Sequence, residues 1–276
     1  MPLLPTEKTL AKTEISDFTI LLHARQKFGK TTFCAQAPDA LFLATEPGLK
    51  GLDAYQVPVT SWEVFLDACA EIAEGKHPFR MIVIDTVDLL YKQCTEYICR
   101  KLKVEHEADL AYGKGYAMIG NEFYRVLSKL GHLPYGLILT SHSREMEFET
   151  RTGKVTRIVP TLPDKARKTI LGMTDFILYG DFEPTTTPNG ETTFRRVLRT
   201  KPTVHYEAGD RTGRMPEAID FEWGAFERAF REAIAATKET GGAGGVGGQP
   251  FAGELASPRN SGAALPSKSS PSRAGR

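Results

Sequence analysis

The run Ala24-Arg25-Gln26-Lys27-Phe28-Gly29-Lys30-Thr31 has the residue types and spacing to hold a polyphosphate. Backbone N–H groups wrapped at a helix N-terminus attract anions. A Lys in such a loop reaches the β- and γ-phosphates, and a neighbouring hydroxyl serves Mg2+. Lys30 and Thr31 supply those groups, and residues 24–29 with Thr32 complete the binding loop. Ala24 stands where the pattern G-x-x-x-x-G-K-T has its first Gly, which is tolerable wherever φ stays negative. A Gly-Lys-Thr-Thr arising by chance is the plainer reading. The apolar run before it and the helical pattern after it favour the phosphate loop.

A second apolar run, Met81-Ile82-Val83-Ile84, ends in Asp85. At the edge of a neighbouring strand, Asp85 would face Thr31, making these two the expected Mg2+ residues of an ATP site. Hydrolysis also needs a group to orient water and one to sense the γ-phosphate. Thr86 follows Asp85, so no second acid is at hand there. Glu46, just after the run 41–44, is the candidate for water. His142, which closes Leu139-Thr140-Ser141, is the candidate sensor.

The elements that must position these residues follow from periodicity. Apolar runs at 18–22, 40–44, 81–84 and 136–140 read as strands covered on both faces, as in a parallel sheet. Ser61 can cap a helix whose Trp62, Phe65, Leu66, Cys69 and Ile72 share one face, ending near Gly75. Residues 86–103 and 120–131 also fit helices. This alternation predicts an α/β fold with a mainly parallel core sheet. Beyond 142 the pattern changes: a hairpin over 145–150 and 154–159, strands over 175–181 and 192–200 extending the sheet antiparallel at one edge, and a closing helix with Trp223, Phe226, Phe230 and Ile234 on one face.

The 276 residues carry 35 Lys+Arg against 34 Asp+Glu, a net charge of +1. That balance excludes an acidic solvating chain and a histone-like one. No run approaches the roughly 20 apolar residues of a membrane span, and residues 1–7 lack a signal-peptide pattern, so a cytoplasmic protein without membrane contact is expected. The four cysteines lack metal-ligand spacing and read as reduced, buried thiols. After residue 240 the composition turns to Gly, Ser and Pro. The expected organisation is one folded domain over 1–240 and a disordered tail over 241–276.

On Gly29-Lys30-Thr31, Thr45-Glu46-Pro47-Gly48, Asp85, Ser141-His142 and Gly209-Asp210-Arg211-Thr212-Gly213, the chain resembles the RecA-like P-loop ATPases over about residues 16–220. It looks most like phage-encoded AAA-type ATP-binding proteins of the Sak single-strand annealing group. The resemblance implies catalytic roles for Glu46 and for His142, which replaces the more usual amide. It implies a homo-oligomer in which a basic residue, Lys201 or Arg211, completes the neighbour's site. It further implies single-stranded DNA as partner, with a single-strand-binding protein alongside, in phage recombination or replication. Two segments combine cations with aromatics or lie in a hairpin: 112–116, and Arg144, Arg151, Lys154 and Arg157; Lys165, Arg167 and Lys168 form another basic cluster. A nucleotide-gated assembly or loader protein with little hydrolysis, and a P-loop small-molecule kinase, are the alternatives.

Overall fold

The computed structural model describes residues 4–110, 113–151, 153–187 and 189–239. Tyr112 and the expected tail over 241–276 lie outside the described residues.

One sheet organises the molecule. Its strands are β1 (Thr19–Ala24), β2 (Ala40–Ala44), β3 (Tyr55–Pro58), β4 (Met81–Asp85), β5 (Gly136–Thr150), β6 (Gly153–Pro160), β7 (Phe176–Thr186), β8 (Thr192–Arg199), β9 (Gly209–Asp210) and β10 (Ala218–Asp220). They run in the order β10-β8-β7-β1-β5-β4-β2-β3, with β6 on β5 and β9 on β7. The six strands from β7 to β3 are mutually parallel. β8, β10, β9 and β6 pair antiparallel. This is the predicted α/β class, with one difference: β7 joins β1 in parallel, and the antiparallel edge begins at β8. All six residues of β1 and all five of β4 are buried, which is why their sequences read as unbroken apolar runs.

The helices are α1 (Lys30–Cys34), α2 (Trp62–Glu74), α3 (Val87–Leu102), α4 (Lys114–Gly131), α5 (Asp164–Met173) and α6 (Trp223–Glu239). Ser61 caps α2 by accepting from the Val64 amide at 3.4 Å, and Gly75 ends it with φ of 70°. α4 begins six residues earlier than periodicity predicts. Its first turn has exposed side chains, yet Gly115 lies against the Glu107 backbone, where a Cβ would stand 2.2 Å from the carbonyl oxygen.

The core forms two layers. Phe28, Phe33, Phe176, Phe226 and Phe230 lie on the α1–α6 side, with Trp62, Phe65, Phe123 and Leu127 on the α2–α4 side. β5 and β7, the two neighbours of β1, both run on past the end of β1 and pair there with β6 and β8. Two hairpins therefore rise on either side of the loop that follows β1. Among the described residues, no helix is long and apolar enough to cross a membrane.

Candidate nucleotide site

β1 ends at Ala24, between His142 of β5 and Gly180 of β7. Ala24 is fully buried and keeps negative φ, so strand geometry accepts the methyl that replaces glycine. The loop turns through two left-handed residues, Lys27 at φ of 57° and Gly29 at 106°. At Gly29 a Cβ would also stand 2.8 Å from Arg196 Nη1. Arg25, Gln26, Lys27 and Thr32 are exposed around the loop.

Phe28 is the exception. It is buried and meets the rings of Phe182 and Phe221 edge-on at 5.0 and 4.7 Å. Its carbonyl accepts from Arg196 Nη1 at 2.9 Å. The loop is thus anchored by its own side chain to the root of the β7–β8 hairpin. Arg25 adds a guanidinium 4.6 Å from the centre of the Phe182 ring.

Lys30 is only 5% exposed. Its ammonium donates to the carbonyls of Ala24 and Arg25, both at 3.2 Å, and to His142 Nδ1 at 3.1 Å. Burial pulls its pKa below the ordinary value, while Asp85, Asp88 and Glu46 oppose that shift. An ammonium so placed gains from an added polyphosphate, whose charge would offset the desolvation. Because ammonium only donates, His142 Nδ1 is the acceptor and its proton sits on Nε2. Nε2 faces Glu46 Oε1 at 3.5 Å. Lys30, His142 and Glu46 thus form one chain of polar contacts.

Thr31 donates its hydroxyl to Asp85 Oδ2 at 2.7 Å, and Thr140 donates to Asp85 Oδ1 at 2.5 Å. Both carboxylate oxygens are fixed, one beside the loop hydroxyl. These hard oxygen donors fit Mg2+, which takes one or two protein groups and completes its shell with phosphates and water. Among the described residues no group of three His, Cys, Asp or Glu could hold a metal, and a phosphate-bound Mg2+ needs none.

Further polar residues brace these groups. Asp88 accepts from Ser141 Oγ and from the His142 amide, both at 2.7 Å, tying the middle of β5 to α3. Burial raises its pKa against those two hydrogen bonds. Thr45 Oγ1 donates to the Thr86 carbonyl at 3.0 Å and accepts from its amide at 2.8 Å, joining the Glu46 turn to the Asp85 turn. Arg196, Thr140 and Asp88 carry no motif, and the bracing role of Thr45 shows only once β2 and β4 lie side by side.

Structure brings together Ala24 to Thr32, Glu46, Asp85 and His142. It does not bring Lys201 or Arg211 to them. Lys201 pairs with Asp210 at 2.8 Å, and Arg211 Nε with Asp175 at 2.8 Å. Asp175 also accepts from the amide of Thr19, the first residue of β1. These cations therefore lie at the far end of β1, about 17 Å of strand from the loop.

A phosphate loop on a central parallel strand, with a strand-end carboxylate turned toward its hydroxyl, defines a P-loop ATPase domain. The chain belongs to the AAA domain family, whose model matches residues 16–212. It is similar to the SPbeta prophage-derived uncharacterized protein YorG of Bacillus subtilis (strain 168), 25% identical over 166 residues, 58% of this chain. The match spans 49% of that relative, so this chain accounts for about half its length. Among solved structures it is similar to the KaiC-like protein PH0186 of Pyrococcus horikoshii OT3, at 16% identity, TM-score 0.38, over 67% of this chain and 78% of that one. It is also similar to the flagellar accessory protein FlaH of Methanocaldococcus jannaschii, at 10% identity, TM-score 0.39, over 74% and 84%.

Proposed function

We propose that the protein is a Mg2+-dependent ATPase that acts on single-stranded DNA in phage recombination or replication, as a homo-oligomer of the Sak type. The observation that carries the ATPase half is the continuous contact from Lys30 through His142 to Glu46, set beside the Thr31–Asp85 pair. In this reading the triphosphate takes the Lys30 ammonium from the two loop carbonyls. Nδ1 of His142 loses its donor at the same moment, so the imidazole registers that a phosphate has arrived. Glu46, facing the same imidazole, orients the attacking water. Thr31 and Asp85 would hold Mg2+, whose chemistry there would be to neutralise phosphoryl charge. Lys201 or Arg211 would serve a neighbour's site only after leaving Asp210 or Asp175.

The DNA half is supported by a relative of prophage origin and by exposed lysines and tyrosines on this chain. The test is ATP hydrolysis with and without single-stranded DNA, with Lys30→Ala as the blank. Stimulation that Lys30→Ala abolishes supports both halves. Flat, Lys30-dependent turnover leaves the nucleotide site standing and removes the DNA reading in favour of a nucleotide-gated assembly protein.

A further inference from the structure

Two basic segments about 50 residues apart in sequence meet on one surface. On α4, Tyr116, Gly120, Tyr124 and Ser128 recur every four residues and form a single row. α5 lies alongside. The aliphatic chain of Lys165 crosses the row at Gly120, where a Cβ would stand 2.9 Å from Lys165 Cε. Any larger residue at 120 would push the lysine away, so glycine there lets Lys165 lie between the two tyrosines. One turn further, Tyr124, Ser128 and His132 face Lys168 and Gly172 across a groove of about 490 Å³. Tyr116 and Tyr124 are 48% and 54% exposed, two helical turns or about 12 Å apart.

The groove carries uncompensated positive charge. Its two carboxylates are already neutralised: Asp17 by Lys12 at 3.0 Å and Asp175 by Arg211 at 2.8 Å. Among the described residues, Lys165 and Lys168 have no carboxylate within ion-pair distance. The β5–β6 hairpin is the opposite case. There Lys154 pairs with Glu147 at 3.2 Å, and Glu145 and Glu149 flank the same strand.

We propose that single-stranded DNA runs along the α4–α5 groove, with Tyr116 and Tyr124 stacking bases and Lys165 and Lys168 following the phosphates. This rests on the DNA reading given above and assigns its surface. Free lysines match a phosphate chain, and exposed aromatic faces accept bases only when those bases are unstacked, as in a single strand.

The experiment is fluorescence anisotropy of the full chain with labelled oligothymidine, titrated with salt. Tyr124→Ala weakens binding about tenfold, whereas Tyr124→Phe, which keeps the ring, binds as wild type. The double change Lys165→Gln and Lys168→Gln flattens the log–log salt slope by about 1.4. Lys154→Gln on the hairpin changes neither. Wild-type binding that survives the groove substitutions overturns this assignment while leaving the DNA reading intact. Tighter binding to duplex than to oligothymidine also overturns it, as does a wild-type protein that binds no DNA, which removes the DNA reading as well.

Discussion

Protonating His23 places a charge in the centre of the sheet, and the cost can be worked out from its surroundings. The ring is fully buried in β1, stacked on Tyr179 with centroids 5.1 Å apart. Nε2 contacts the Glu207 carbonyl at 2.6 Å, and Nδ1 contacts Ser143 Oγ at 2.9 Å. A carbonyl only accepts, so Nε2 holds the single proton and Nδ1 accepts from the serine. Burial lowers the His23 pKa from 6.5 to about 4; the bond to Glu207 opposes this, and the nearby cations Lys30 and Arg157 add to it. As pH falls through 6.5 the unfolded chain takes up a proton that the folded chain refuses until about 4. Stability is therefore full above that window and is lost within it, by about 3 kcal/mol in all and about 2 kcal/mol by pH 5. For a chain of this size that is about 4–8 °C in Tm. Thermal unfolding of wild type and His23→Gln between pH 8 and pH 5 isolates the effect. Asp88 and Glu207, whose pKa values burial raises, titrate with the opposite sign but are common to both proteins and cancel in the difference. Tm profiles that run parallel in the two proteins would mean that protonating His23 carries no such cost.

Other substitutions test how the site is held. Gly180→Ala puts a methyl 2.7 Å from Phe28 Cε1 and 2.9 Å from Ala24 Cβ, so it costs about 1–3 kcal/mol of stability, read by denaturant unfolding. The same change weakens ATP binding measured by calorimetry, although Gly180 lies outside the phosphate loop. Asp88→Ala leaves the His142 amide without its acceptor, while the Ser141 hydroxyl keeps the His142 carbonyl at 3.0 Å, and costs about 1–3 kcal/mol. Because it frees β5 at His142, it lowers kcat more than it raises the KM for ATP, which steady-state kinetics separates.

Much of the fold was legible because burial on both faces leaves a direct mark: the runs that became β1, β2, β4 and the start of β5 have few polar residues to hide. The candidate site was legible where a single stretch carries the chemistry, as with Gly29-Lys30-Thr31, or where an apolar run gives way to polar residues, as at Asp85 and at Thr140-Ser141-His142. Short exposed strands were not. β3 has exposed residues at three of its four positions, so nothing in its pattern separates it from a loop. β5 looks like two pieces in sequence because its inner half is apolar and its outer half alternates, yet one strand of 15 residues runs through both environments. The residues that brace the site were illegible for a different reason. Phe28 looks like any loop residue until Phe182 and Phe221, far along the chain, close over it. The partners of Asp88 and Thr140 are fixed only when β4 and β5 come into register.

Glu46 is the residue on which hydrolysis at this site most directly depends. Hydrolysis and binding of Mg2+-ATP should be measured side by side for wild type and Glu46→Gln, which keeps the shape of the side chain and removes its charge. The expected result is that the variant binds ATP as wild type does and turns it over about a hundredfold more slowly, or slower still. A Glu46→Gln protein that hydrolyses ATP at the wild-type rate would contradict it.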